Sequence, residues 1–147
     1  MKEFVMNREQ FVPRPIAEVF AFYADAGNLE HLTPPWLRFE IVTPTPVVMR
    51  PGTLIDYRIR MRGLPMRWRS RITAWDPPHR FVDEQVAGPY RLWIHTHEFV
   101  PAPGGTLVRD HVRFAVPGGA LVHRLFVARD LERIFAYRAR QLTVLFS

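Results

Sequence analysis

The spacing of hydrophobic residues changes along this chain of 147 residues, and this change constrains the fold more than any other feature. Over Ile16–Ala24 the apolar side chains recur every three or four positions, which is the period of an amphipathic helix. From Trp36 to Val116 the period is two, as in strands that bury one face. After Pro117-Gly118-Gly119 the helical period returns and continues to the C terminus.

Turn residues divide the alternating region into six predicted strands. They are Leu37–Val42, Thr53–Arg62, Met66–Trp75, Arg80–Val86, Tyr90–Val100 and Thr106–Val116. Each break between consecutive strands, from the second strand onward, contains Gly or Pro, which favour tight turns. Because the breaks between successive strands are short, we expect an antiparallel meander. A further strand at Lys2–Val12 brings the predicted sheet to seven strands.

The remaining segments predict two short helices and one long helix. Pro15 suits the first turn of the Ile16–Ala24 helix, and Asn28–Leu32 is typical of a second, shorter one. The long C-terminal helix has an apolar stripe of Leu121, Leu125, Ala128, Leu131, Phe135, Leu142 and Leu145. It is the only element large enough to cover the apolar face of the sheet. We therefore predict one α+β helix-grip domain over residues 1–147, with a mostly apolar pocket between the curved sheet and the long helix.

Composition excludes several classes of protein. The chain has no Cys, which excludes disulfides and thiolate metal sites, and no apolar run long enough to span a bilayer. The N terminus lacks the apolar stretch of a secretory signal, so we expect a cytoplasmic protein. For its oligomeric state we expect either a monomer or a homodimer.

The formal net charge is +6, and Lys2 is the only lysine. Six arginines would form a stripe on the outer face of one hairpin: Arg58, Arg60, Arg62, Arg67, Arg69 and Arg71. We interpret this stripe as a solvated sheet face that discourages edge aggregation. The aromatic residues of these strands alternate to the other face, which argues against a nucleic-acid partner, and contact with a membrane is the less favoured alternative.

Alternation also predicts which side chains face inward. In three strands the apolar set is clear, and it carries Tyr57, Trp68, Asp110 and Phe114 to the inner face. The strands near Phe81 and Trp93 are less regular, and we place their aromatic sets inside. This choice also buries a group of polar residues: Asp83, Gln85, His95 and His97. The opposite choice would bury Leu92 and Ile94 and expose both histidines.

The His95-Thr96-His97 segment is the strongest candidate for chemistry. It places two imidazoles on one side of a strand, ~7 Å apart by strand geometry, with Asp110 on the neighbouring strand. Three interpretations stay open: a His–Asp pair that satisfies itself beneath a pocket, a polar cluster that orients a ligand, and a metal or general acid–base site. A metal would need a third ligand that the sequence does not reveal, so we predict no metal and no cofactor.

The inner faces together predict the walls of a pocket of a few hundred Å³. Tyr57 and Trp68 each combine a bulky apolar body with one polar atom, so they suit either core packing or contact with a flat ligand. The expected ligand-binding residues are Tyr57, Trp68, Asp83, Gln85, Trp93, His95, His97, Phe99, Phe114 and Phe135.

Several phrases of the sequence carry a family resemblance. The most specific is Gly88-Pro89-Tyr90 followed by Trp93-Ile94-His95-Thr96-His97-Glu98-Phe99, and others are Pro15–Phe20, Asn28–Pro34, Phe81–Gln85, Asp110–Val112 and Ile134–Arg138. They resemble the SRPBCC superfamily, which includes START lipid-transfer domains, pollen-allergen-like proteins and polyketide cyclases. The nearest branch is the bacterial one labelled "ligand-binding SRPBCC" or "cell division inhibitor". The resemblance implies that a hydrophobic small molecule binds between sheet and long helix, and that some relatives catalyse cyclisation or dehydration there.

Two functions of different classes follow. The preferred one is non-catalytic binding or transport of a hydrophobic molecule such as a lipid, an isoprenoid or a polycyclic aromatic. The alternative is a cyclase or dehydratase in which His95, His97 or Asp110 transfers a proton. An interaction module that uses the basic sheet face is a third, less favoured possibility.

Overall fold

The fold was analysed in a computed structural model that describes residues 1–147. The strands are β1 (Phe4–Val12), β2 (Glu40–Ile41), β3 (Leu54–Met61), β4 (Leu64–Asp76), β5 (Arg80–Ala87), β6 (Leu92–Ala102) and β7 (Gly105–Ala115). The α-helices are α1 (Ile16–Ala24), α2 (Leu29–Leu32), α3 (Gly119–Val122) and α4 (Ala128–Leu145). Short 3-10 turns at Ala26–Asn28 and Pro35–Leu37 flank α2.

The seven strands form one antiparallel sheet in the order β1-β7-β6-β5-β4-β3-β2. Strands β3 to β7 follow one another as a meander, and β1 closes the far edge by pairing with β7. Residues 119–145 form the long C-terminal helix, whose buried side chains pack with the inner face of the sheet. The predicted helix-grip architecture is confirmed.

The predicted strand at Leu37–Val42 is mostly wrong. Only Glu40–Ile41 pairs with β3, because the chain first makes the 3-10 turn Pro35–Leu37 and then turns through Arg38 in a left-handed conformation (φ 47°). Pro35 begins the turn and has no N–H to give to a ladder, so pairing starts late.

The predicted apolar stripe of the long helix holds only in part. Leu131, Phe135 and Leu142 are buried, but Leu121 and Leu125 are 56% and 53% exposed. Between α3 and α4 the chain makes a π turn at His123–Val127. A π turn is wider than an α turn, so it rotates the residues before it away from the face set by α4.

The predicted inner face of β6 is confirmed by burial. Trp93, His95, His97 and Phe99 are all buried, whereas Ile94 on the other face of β6 is partly exposed. Two apolar clusters, one around Phe99 and one around Trp93, therefore form the core under α1 and α4.

The outer face of the sheet is strongly charged but partly compensated. All six arginines of the predicted stripe are exposed, and Arg69 makes a two-pronged ion pair with Asp56. Farther along the sheet, one row of residues alternates in sign across four strands: Arg80, Glu98, Arg109 and Glu9. No helix of the structure is long and apolar enough to cross a membrane.

Candidate functional site: a cavity with a buried His–Asp cluster

A cavity of about 170 Å³ lies between the inner face of the sheet and α4. Hydrophobic side chains make up 17 of its 23 lining residues, so most of its wall offers no hydrogen bonds. The cavity lies where the sequence predicted it, but it is smaller than the few hundred Å³ expected.

Seven of the ten expected ligand-binding residues line this cavity: Tyr57, Trp68, Asp83, Trp93, His95, His97 and Phe135. They come from four adjacent strands and from α4, because the alternation of each strand aims them at the same side of the sheet.

The other three expected residues, Gln85, Phe99 and Phe114, do not line the cavity. Gln85 forms two hydrogen bonds with the backbone of Tyr90, so its amide holds the β5–β6 connection instead. Phe99 packs against Phe20 of α1, and Phe114 packs in the core around Trp93. Alternation places a residue on a face but does not show how far along that face the cavity extends.

A stacked pair of histidines forms the polar end of the cavity. The rings of His95 and His97 are 3.7 Å apart and inclined by 24°, and Phe81 stacks on the other side of His97 at 4.0 Å. His95 Nε2 lies 2.7 Å from Asp110 Oδ1, and His97 Nε2 lies 2.6 Å from Asp83 Oδ2. Each histidine therefore has its own carboxylate on a neighbouring strand.

Asp110 is closed off from the main cavity. It lies on the side facing a second opening between β1 and α4, where Arg138 and Phe135 line both spaces. The nearest guanidinium contact, from Arg138 Nη2 to Asp110 Oδ1, is 3.9 Å long. Asp110 thus holds His95 from the side away from the cavity, and a molecule in the cavity would contact the histidines rather than Asp110.

The protonation of the cluster follows from its burial and its hydrogen bonds. Burial and the neighbouring His95 lower the pKa of His97 to about 4. Burial alone would raise the pKa of Asp83 and of Asp110, but a hydrogen bond from His97 or His95, together with the charge of Arg138 and the nearby histidines, outweighs it, and both pKa values are lowered. At neutral pH both aspartates are therefore carboxylates and His97 is neutral.

These charges fix the tautomer of His97. A carboxylate only accepts hydrogen bonds, so Nε2 must carry the proton that it donates to Asp83. Nδ1 of a neutral imidazole is then an acceptor with a free lone pair. Of the candidate catalytic residues, His97 is the one that has a buried ring nitrogen without a partner.

Three buried polar atoms at this end of the cavity lack a hydrogen-bond partner in the protein: Tyr23 Oη, His97 Nδ1 and Arg138 Nη2. Burial raises the pKa of the Tyr23 phenol, which therefore stays protonated. Burial would lower the pKa of Arg138, but the Asp110 and Asp83 carboxylates and the nearby Tyr23 hydroxyl together outweigh it, and the pKa is raised. Most buried polar groups find partners, so three such atoms in one place are unusual.

In the part of the cavity wall formed by Tyr57, Trp68 and Ser70, the side-chain polar atoms are all hydrogen bonded to one another. The Ser70 hydroxyl accepts a 2.9 Å hydrogen bond from Trp68 Nε1 and forms a 3.1 Å one with the Tyr57 hydroxyl. The rings of Tyr57 and Trp68 stack at 5.9 Å. This wall can therefore offer a ligand apolar surface but few hydrogen bonds.

The cluster has donor types that suit a metal ion but an arrangement that does not. Ligand atoms of Asp83, His95 and His97 lie within 4.8 Å of one another. However, both Nε2 atoms already bond to carboxylates, and the two rings lie in nearly parallel planes 3.7 Å apart, so one ion cannot lie in the plane of both rings at bonding distance. The guanidinium of Arg138 adds a positive charge beside them, so the residues do not fit a metal without rearrangement.

Tyr23 and Arg138 were not among the functional residues predicted from the sequence. Both could have been found from spacing, since Tyr23 follows Val19 and Phe20 on the apolar stripe of α1. Arg138 lies between Phe135 and Leu142 on the stripe of α4, where an arginine is out of place. A charged residue on a buried helical stripe is a signal that it has a polar partner inside.

A curved sheet gripping a long helix over an apolar cavity defines the class of ligand-binding helix-grip proteins. Residues 12–142 match the family described as "Polyketide cyclase / dehydrase and lipid transport". The chain belongs to this family, within the SRPBCC superfamily. A comparison with curated proteins gave no match.

Solved structures share the fold. The protein CV1439 from Chromobacterium violaceum is 14% identical, with a TM-score of 0.76 and 97% of each chain covered. Ara h 8.0201 is 20% identical, with a TM-score of 0.66 over 97% of this chain and 99% of that one. A nucleoside-diphosphate sugar epimerase from Corynebacterium glutamicum is 26% identical, with a TM-score of 0.69 over 93% of this chain but 28% of its own. In the epimerase the matching region is thus one part of a longer chain.

Proposed function

We propose that this protein binds a hydrophobic small molecule in the cavity without transforming it. The observation that carries the proposal is a mostly apolar cavity between the sheet and α4, with polar groups gathered at one end. Such a distribution favours burial of a ligand's apolar body and uses a few polar groups to set its orientation. Membership of a family that includes lipid transport supports the same conclusion.

The volume of the cavity limits the size of the ligand. A protein cavity of ~150 Å³ lined by apolar side chains binds benzene, so about 170 Å³ suits a molecule with one or two rings, or a short isoprenoid. A long acyl chain or a larger polycyclic aromatic would need the cavity to expand.

Native mass spectrometry of gently purified protein tests the proposal first, because a retained ligand adds its mass to the chain. Calorimetric titration with naphthalene then tests the cavity directly. We expect Ile134→Trp to abolish naphthalene binding, since Ile134 lines the cavity and the larger ring would fill it. Val144→Trp is the matched control on the exposed side of the same helix, and it should bind as the wild type does. Equal binding by both variants would contradict the proposal.

Proton transfer is the second candidate function, and the free Nδ1 of His97 is the observation that favours it. Asp83 holds the opposite nitrogen, which is how a carboxylate orients a catalytic imidazole. A pKa of about 4 makes His97 a weak base at neutral pH, which is why we rank binding first. Deuterium uptake at the carbon next to the carbonyl of 2-tetralone, followed by NMR, tests it. Catalysed uptake that His97→Gln removes would support an enzyme.

A further inference from the structure

The three buried atoms without partners lie around one polar spot. His97 Nδ1 and Arg138 Nη2 are 3.7 Å and 3.9 Å from the same Asp110 oxygen, on different sides of it. The Tyr23 ring is 6.1 Å from the His97 ring, and its phenol lies close enough to Arg138 for the guanidinium to lower the phenol's pKa. All three residues line the cavity, and the three atoms themselves are covered, so a small shift of these side chains would bring them to a single polar group of a ligand.

The hydrogen-bonding capacities of the three atoms are complementary. His97 Nδ1 only accepts, because Nε2 carries the ring proton and donates to Asp83. Arg138 Nη2 only donates, and the protonated Tyr23 hydroxyl can donate as well. The group that satisfies all three must donate one hydrogen bond and accept two. A hydroxyl does so with its one proton and two lone pairs, whereas an ether or a ketone has no proton to donate to His97.

The charge of the cluster decides between a neutral and an ionised group. Two carboxylates, Asp83 and Asp110, face one guanidinium, Arg138, and His97 is neutral. An ionised ligand group would therefore be a third anion, buried beside these two carboxylates at a cost in desolvation and repulsion. An ammonium group would have no lone pair for Arg138 and would meet its positive charge. A neutral group is the best match.

We infer that the cavity selects a small hydrophobic molecule that ends in a neutral hydroxyl, as in a phenol or an alcohol. The hydroxyl donates to Nδ1 of His97 and accepts from Arg138 and Tyr23. This inference rests on the proposed binding function and adds the class of ligand to it. The three atoms then gain hydrogen-bond partners, and only the hydroxylated ligand obtains this favourable contribution to its binding free energy.

A matched series of two-ring probes tests the inference by calorimetry at pH 7: naphthalene, 2-naphthol and 2-naphthoate. They share one apolar body and differ only in the polar group, which is neutral in 2-naphthol and ionised in 2-naphthoate at this pH. We expect 2-naphthol to bind at least tenfold more tightly than naphthalene, and 2-naphthoate to bind more weakly than 2-naphthol.

Two tyrosine variants then locate the effect. Tyr23→Phe removes a hydroxyl that has no protein partner, so it should leave the fold intact and reduce the preference for 2-naphthol over naphthalene by ~2- to 10-fold, the range for one neutral hydrogen bond. Tyr137→Phe is the control, because it makes the same change on a tyrosine that lies outside the cavity, where its ring packs against Trp36. It should leave the preference unchanged.

The outcomes separate this inference from the proposed function. If naphthalene and 2-naphthol bind with equal affinity, the polar atoms hold water only and the inference is wrong, while the binding function stands. Tighter binding of 2-naphthoate than of 2-naphthol also overturns it, as does a preference that both tyrosine variants reduce equally. If none of the three probes binds, the proposed function fails and the inference fails with it.

Discussion

His97 lies directly opposite Asp110 in the register of β6 and β7, yet the two side chains do not hydrogen bond. The distance from His97 Nδ1 to Asp110 Oδ1 is 3.7 Å. His97 instead donates from Nε2 to Asp83, which lies diagonally opposite on the neighbouring strand β5. Asp110 in turn pairs diagonally with His95. This crossed pairing lets the two rings stack and leaves Nδ1 of His97 without a hydrogen-bond partner.

Asp83→Asn should destabilise the protein by about 2–4 kcal/mol at pH 7.5, because it removes a charged acceptor from a buried, charge-assisted hydrogen bond. Urea unfolding measures the change. The control is Asp56→Asn, which breaks an ion pair with Arg69 on the exposed sheet face and should cost about 1 kcal/mol or less. Equal losses for the two variants would show that the Asp83–His97 pair contributes no more than a surface pair.

Stability should fall as the pH is lowered from 7 toward 4. The pKa of His97 is about 4 in the folded protein and ~6.5 when the chain is unfolded, so the unfolded state binds more protons throughout this interval. The stability that a neutral His97 contributes is present above pH 6.5 and is lost between the two values. Asp83 and Asp110, whose pKa values are also lowered, add a further loss below pH 4.

Unfolding free energies measured at half-unit intervals of pH check this dependence. In His97→Gln, which has no titrating group at this position, the slope between pH 6.5 and 4 should flatten. An unchanged slope in the variant would assign the acid sensitivity to other groups.

Ser70→Ala should cost about 1–3 kcal/mol, because two buried donors would lose the oxygen that joins them. Trp68 Nε1 would have no acceptor and the Tyr57 hydroxyl would lose its only partner. Thr143→Ala on the exposed side of α4 removes a comparable hydroxyl and should change stability by less than about 0.5 kcal/mol. Thermal unfolding compares them, and the prediction fails if Ser70→Ala is as mild as the control.

Gln85→Glu should destabilise the connection between β5 and β6 by about 1–3 kcal/mol. The side-chain nitrogen that donates to the Tyr90 carbonyl would become a carboxylate oxygen, which that carbonyl repels. Glu84→Gln makes the reverse change at the neighbouring position, on the opposite face of the strand, and should be nearly neutral. Hydrogen exchange at Tyr90 provides a local measurement, since its N–H bonds to Gln85 Oε1 and should exchange faster in Gln85→Glu.

The fold could be predicted well from the sequence because alternation and turn residues act locally. The bounds of α1 were predicted to the residue, and β3 to β7 within two residues at each end. The π turn at His123–Val127 was missed, because the apolar spacing around it also fits an uninterrupted α-helix. Leu121 and Leu125 were therefore predicted on the buried side of the helix, whereas both are exposed.

What the sequence determined by itself is which side chains share a face of each strand. Period-two alternation puts Asp83 on the face of Phe81, both histidines on the face of Trp93, and Asp110 on the face of Phe114, because successive strand residues point to opposite sides. Only the tertiary structure decided which carboxylate each histidine takes, and that Tyr23 and Arg138 join them from two helices. These pairings depend on the register of the strands, on the distance between side chains that lie diagonally opposite each other, and on the angle at which the helices cross the sheet. No pattern of neighbouring residues encodes these quantities.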